Sequence, residues 1–80
     1  MNNLEKLDDL LADISSQTIG LANSIPLYEK KILDSFDILR LVTEIELNFG
    51  VKIDLIELLQ TDVSKSSILD FIQRRAPNAD

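Results

Sequence analysis

Apolar residues recur every three or four positions along most of the sequence, and this spacing predicts amphipathic helices. The clearest example is a stripe formed by Phe36, Leu39, Val42, Ile45 and Phe49 and widened by Ile38 and Leu41. Asp34 and Ser35 stand just before the stripe and are good residues for a helix N-terminus. Gly50 follows it, where a left-handed residue commonly ends a helix. The sequence therefore predicts a long helix over residues 36–49.

Three further helices are predicted from shorter patterns. One carries apolar residues from Leu4 to Ile14, with Asn2 or Asn3 as its cap. A brief helix from Leu55 to Leu59 follows a capping Asp54, and a last helix begins after Ser64 and stops before Pro77. We expect an all-α fold, a small antiparallel four-helix bundle, in one domain spanning residues 1–80, with residues 76–80 as a frayed tail.

Residues 16–34 show no helical period and contain Gly20, Asn23, Ser24 and Pro26. A loop of this length is unusual in a small domain, and such loops are generally functional or ordered by their own side chains. Its apolar residues are expected to pin it to the core: Ile19, Leu21, Ile25, Leu27, Tyr28, Ile32 and Leu33.

The composition excludes many kinds of catalysis. The chain has no cysteine and no histidine, so it offers no thiolate and no side chain that ordinarily titrates near neutral pH. Neighbouring acids such as Asp8 with Asp9, or Glu44 with Glu46, do not face each other on a helix and are best explained as solvated charge. We expect a protein without catalytic activity of its own and without a metal site; an enzyme that uses paired carboxylates is the weakest hypothesis.

The net charge of −6 is concentrated in residues 34–62, which hold seven acids and two bases. Such a surface repels nucleic acid and anionic lipid and favours basic patches on other proteins. No apolar run exceeds three residues, and the N-terminus has no secretory signal pattern. We expect a cytoplasmic monomer that binds neither nucleic acid nor membranes.

The segment Leu33-Asp34-Ser35-Phe36 places a serine between the long loop and the best helix. It resembles the Asp-Ser-Leu/Phe signature of acyl and peptidyl carrier proteins. The resemblance extends over Tyr28–Leu33, Gly50–Ile53 and Ile68–Ile72, and covers the chain from the first helix to Arg75. It is closest to free-standing carriers of the D-alanyl and peptidyl type.

The resemblance implies that Ser35 carries a covalent 4'-phosphopantetheine arm derived from coenzyme A, and that Asp34 belongs to the modification motif. The arm would hold an acyl or aminoacyl group as a thioester. The implied partners are a phosphopantetheinyl transferase, an adenylating ligase that loads the cargo, and downstream acyl-processing enzymes. Because those enzymes do the chemistry, a carrier needs neither cysteine nor histidine.

The helix after Ser35 is the expected recognition surface. Its candidate partner-binding residues are Phe36, Asp37, Arg40, Leu41, Glu44 and Leu47. Several of these residues also have an alternative explanation. Phe36 and Leu41 could belong to the core, Asp37 could be an acid in the first turn that the helix dipole favours, and Glu44 could be a solvated surface charge. Arg40, Leu47 and Asn48 replace acids that are typical of fatty-acid carriers, which favours a carrier dedicated to another pathway.

A second hypothesis requires no modification. A small acidic helical adaptor or regulator could bind a basic protein through residues 34–62. In that case Ser35 would serve only as a helix cap.

Overall fold

The computed structural model describes residues 2–75, which form four helices. These are α1 (Asn3–Ile14), α2 (Ser35–Phe49), α3 (Leu55–Leu59) and α4 (Lys65–Arg75), with a 3₁₀ turn at Ser16–Thr18 after α1. Helix α1 packs against α2 and α4, and α2 packs against α3. No strand occurs within these residues. The predicted all-α class is confirmed, whereas the predicted tail over 76–80 and the stop at Pro77 lie outside the described residues.

Local sequence sets the start of α1, α3 and α4 and the end of α2 as predicted. Asn2 caps α1 by accepting a hydrogen bond from the Glu5 amide at 2.8 Å, which decides between Asn2 and Asn3. Asp54 caps α3, and the Ser64 hydroxyl accepts a hydrogen bond from the Ser67 amide in the first turn of α4. Gly50 ends α2 with φ of 68°, in the left-handed region that favours glycine.

The core-facing side of α2 differs from the predicted stripe. Ile38, Leu41 and Ile45 are buried, but Phe36 is 83% exposed and Leu39 is also exposed. A step of three residues turns the helix by about 300°, which is about 60° short of a full turn. Three such steps add up, so that Phe36 and Ile45, nine residues apart, lie about 180° apart around the helix. The period therefore identified the helix correctly but placed its N-terminal end on the wrong face.

The long loop is held by five of its seven predicted anchors, of which Leu21, Ile25 and Ile32 are partly buried and packed against the core. Leu27 and Leu33 are fully buried, while Ile19 and Tyr28 are exposed, so the prediction was wrong for that second pair. The Leu27 amide donates to the Val63 carbonyl at 3.4 Å, and the Leu27 carbonyl accepts from the amides of residues 32 and 33. These bonds connect the loop to the segment between α3 and α4 and fix the chain just before Ser35.

One ion pair links α4 to α1. The Lys65 ammonium is almost fully buried, lies 3.1 Å from a carboxylate oxygen of Asp8, and donates to the Leu21 carbonyl. The pair balances a cation that would otherwise be costly to bury. None of the helices in residues 2–75 combines the length and apolar character that a membrane span requires.

Candidate functional site

Asp34, and not Ser35, caps α2. Its carboxylate accepts a hydrogen bond from the Asp37 amide at 2.9 Å, and the Asp37 carboxylate accepts from the Asp34 amide at 3.2 Å. This reciprocal arrangement is a capping box, with Asp37 in the place usually taken by glutamate or glutamine. Ser35 is the first residue inside the helix, so the interpretation of its hydroxyl as a cap is wrong.

The Ser35 hydroxyl is exposed and has one polar side-chain neighbour within residues 2–75. The hydroxyl oxygen of Tyr28 lies 3.4 Å from Ser35 Oγ. The amides of Ser35 and Phe36, in the first turn of α2, have no hydrogen-bond acceptor in the part of the chain that the structure describes. Ser35 Oγ is therefore open to an incoming group and lies beside free amides, which form the positive end of the helix dipole.

An open depression of about 350 Å³ adjoins the Ser35 hydroxyl. It is lined by Tyr28, Glu29, Lys31, Leu33, Asp34 and Ser35. Lys31 has φ of 60°, a left-handed conformation that turns the loop toward the helix. Two carboxylates outweigh the single ammonium around this depression, so its lining carries a net negative charge.

Of the six candidate partner-binding residues, five are accessible and one is not. Phe36 and Leu47 are 83% and 75% exposed, and Arg40 is exposed as well. Asp37 and Glu44 are partly exposed. Leu41 is fully buried, so its assignment to the partner surface was wrong. It lies about 140° around the helix from Phe36 and shares the core side with Ile38 and Ile45.

Sequence reasoning missed three exposed residues near this surface. Leu39 on α2 and Ile56 on α3 are apolar and more than half exposed, and Tyr28 contacts Ser35. The phase of α2 around Ile38, Leu41 and Ile45 would have identified Leu39 as an outward residue. Nothing in the loop pattern would have brought Tyr28 to Ser35, because their contact depends on how Leu27 and Leu33 fold the chain back.

Residues 2–75 contain no cluster of acidic side chains that could hold a metal ion. Comparison of the chain with protein-family models, with curated proteins and with solved structures found no match. The geometry around Ser35 and the exposed face of α2 are therefore the observations on which a function can be argued.

Proposed function

We propose that this protein is an acyl carrier protein that is modified on Ser35 with a 4'-phosphopantetheine arm. The observation that carries the proposal is the exposed Ser35 hydroxyl at the start of α2, which is left free because Asp34 and Asp37 make the cap. A serine held at a fixed helix position, whose hydroxyl the helix cap does not use, is suited to covalent modification.

The free amides in the first turn of α2 fit a phosphodiester. Its negative charge would meet the amides of Ser35 and Phe36 and the positive end of the α2 dipole. In the modification, Ser35 Oγ forms a bond to the phosphorus of coenzyme A that bears the pantetheine. The bond from that phosphorus to the bridging oxygen breaks, the adenosine bisphosphate leaves with the oxygen, and the hydroxyl proton passes to a base on the transferase.

When bound, the arm supplies the thiol that the sequence lacks and carries an acyl or aminoacyl cargo as a thioester. The chain's own residues then have two tasks, which are to hold the attachment point and to present a surface to partner enzymes. Asp34 fixes the backbone at Ser35 through the capping box. That position also makes the Asp34 carboxylate available for recognition by the transferase, next to the residue that is modified.

The exposed side of α2 fits the task of partner binding. Phe36 and Leu47 provide apolar contacts, and Arg40 lies between them on the same side of the helix. Asp37 and Glu44 border this strip with negative charge. The proposed partners, a transferase, a loading ligase and acyl-processing enzymes, would each need an apolar recess with basic residues at its edge. A cytoplasmic location is part of the proposal, because coenzyme A and such enzymes are found there.

A second candidate function, an adaptor without modification, is favoured by the same exposed apolar residues. Phe36 and Leu47 would contact a basic partner whether or not Ser35 is modified. The two functions differ in their dependence on the hydroxyl, since Ser35→Ala abolishes cargo transfer by a carrier but leaves binding by an adaptor unchanged.

The deciding experiment is intact-mass analysis of the protein after incubation with coenzyme A and each of several phosphopantetheinyl transferases. We expect a gain of one phosphopantetheine, mapped to the peptide that contains Ser35 and absent in Ser35→Ala. Ser66→Ala is the matched control, because Ser66 is also exposed in the first turn of a helix, α4. A wild-type chain that gains no mass, or gains it elsewhere, would contradict the carrier function and leave the adaptor.

A further inference from the structure

The hydroxyl of Tyr28 is the nearest polar side-chain group to the proposed attachment point, and it has no other partner within residues 2–75. The separation of 3.4 Å from Ser35 Oγ is longer than the roughly 2.5–3.0 Å of a strong hydroxyl pair. The two oxygens are therefore neighbours with room to adjust. Tyr28 is partly exposed, so its hydroxyl is also accessible to a group that approaches Ser35.

From this geometry we infer that Tyr28 is a positioning residue for the modification of Ser35 and a hydrogen-bond donor to the phosphate that the modification installs. The inference rests on the proposed function. It deepens that function by assigning a role to a loop residue that lies seven positions before the attachment point and outside the recognition helix.

Before modification, the direction of the hydrogen bond determines what Tyr28 contributes. A hydroxyl has one proton and two acceptor lone pairs. When Ser35 donates its proton to the Tyr28 oxygen, the orientation of the hydroxyl is restricted and both lone pairs of Oγ stay free for attack on phosphorus, until the base on the transferase draws the proton away from Tyr28 in the chemical step. Tyr28 then orients the nucleophile without touching coenzyme A. Its loss should therefore affect the chemical step, which kcat reports, more than binding.

After modification, the direction must reverse. Ser35 Oγ is now an ester oxygen without a proton, so contact with Tyr28 persists only if the phenol donates. The acceptor is either that ester oxygen or a phosphate oxygen bonded to the same phosphorus. A hydrogen bond to a charged phosphate oxygen is shorter and stronger than one between two neutral hydroxyls.

The charges of the depression make a neutral donor valuable. Glu29 and Asp34 oppose an incoming phosphate, and Lys31 offsets only one of them. A hydroxyl can approach the phosphate without adding to the charge on either side. Of the side chains that line the depression, Tyr28 is the one that is both neutral and polar apart from Ser35 itself.

The test compares the steady-state modification of wild-type protein, Tyr28→Phe and Ser66→Ala by one phosphopantetheinyl transferase with coenzyme A. Tyr28→Phe keeps the ring and removes only the hydroxyl, and Ser66→Ala removes an exposed hydroxyl on α4, outside the depression. We expect Tyr28→Phe to lower kcat about tenfold with little change in KM for the carrier, the upper end of the range for one lost hydrogen bond between neutral groups. Ser66→Ala should leave kcat unchanged.

A second readout follows the hydrogen bond directly. The phosphorus NMR signal of the modified wild-type protein should differ in chemical shift from that of modified Tyr28→Phe, and modified Ser66→Ala should match the wild type. Equal kcat values within about twofold together with equal shifts would overturn the role of Tyr28 while leaving the carrier function intact. A rise in KM alone would assign Tyr28 to transferase docking and would also overturn it. Failure of the wild type to be modified would instead refute the proposed function and, with it, this inference.

Discussion

The capping box predicts that two adjacent residues differ in their contribution to stability. Asp34→Ala removes the oxygen that accepts from the Asp37 amide and leaves that amide without its partner. Loss of an N-cap typically costs about 1 kcal/mol, and loss of a first-turn carboxylate at the positive end of the dipole adds a few tenths. Ser35→Ala replaces an exposed residue inside the helix by the best helix former, so we expect a change within about 0.5 kcal/mol.

The assay is urea unfolding of both variants, followed by far-ultraviolet circular dichroism, with Asp34→Asn as the matched control that keeps an acceptor oxygen. A loss of about 1 kcal/mol corresponds to a fall in Tm of roughly 4–8 °C for a domain of this size. Equal destabilisation by Ser35→Ala and Asp34→Ala would refute the argument, because it would show that the Ser35 hydroxyl has a structural role. The availability of Ser35 for chemistry would then lose its main support.

Four further predictions follow from other contacts. Leu41→Ala should lower the free energy of unfolding in urea by about 2–5 kcal/mol, because Leu41 is fully buried. Phe36→Ala and Leu47→Ala should leave that free energy nearly unchanged, because both side chains are exposed, and should weaken binding of the proposed transferase in titration calorimetry. Lys31→Gly should raise the free energy of unfolding by about 1 kcal/mol, since glycine adopts φ of 60° without strain. In the ion pair between Lys65 and Asp8, Asp8→Ala should lower stability more than Lys65→Met does, because only the former leaves the buried ammonium without its carboxylate. The hydrogen bonds that Asp62 accepts from the Ser67 hydroxyl and the Ser64 amide hold its pKa below the ordinary value of 3.8. Their contribution to stability is therefore fully present at pH values above 3.8 and is lost as the pH falls through the lowered pKa. Unfolding measured against pH should therefore show that Asp62→Asn is less stable than wild type at neutral pH and that this difference shrinks in acid.

Helix ends were more predictable than helix faces because they depend on different ranges of interaction. A cap is satisfied within three residues, so Asp54 and Ser64 could be assigned from the residues beside them and the cap of α1 could be narrowed to Asn2 or Asn3. A face is selected by everything that packs against it. The apolar residues of α2 are numerous enough to support more than one stripe, and Phe36 and Ile45 were joined although they lie on opposite sides.

The residues of the candidate site that lie at the start of α2 could be predicted from the sequence, whereas the contact from Tyr28 in the loop could not. Asp34, Ser35 and Phe36 lie where the sequence placed them, at the start of α2. The choice of cap between Asp34 and Ser35 required the hydrogen bonds themselves, since both residue types serve well. Tyr28 reaches Ser35 through the folding back of the loop at Leu27 and Leu33, which no local pattern encodes.

We expect Ser35 to take a large substituent without loss of the fold, because other residues stabilise the start of α2. Asp34 and Asp37 satisfy the helix end, Leu33 buries the chain on one side of Ser35, and Ile38 buries it on the other. Ser35 is thereby fixed in position by its neighbours, is itself exposed, and does not cap the helix. A group attached to its oxygen would extend into solvent and displace no core contact. Under the proposed function, this arrangement would separate stability from chemistry within residues 33–38, and it would let a chain without cysteine or histidine acquire its reactive group from outside.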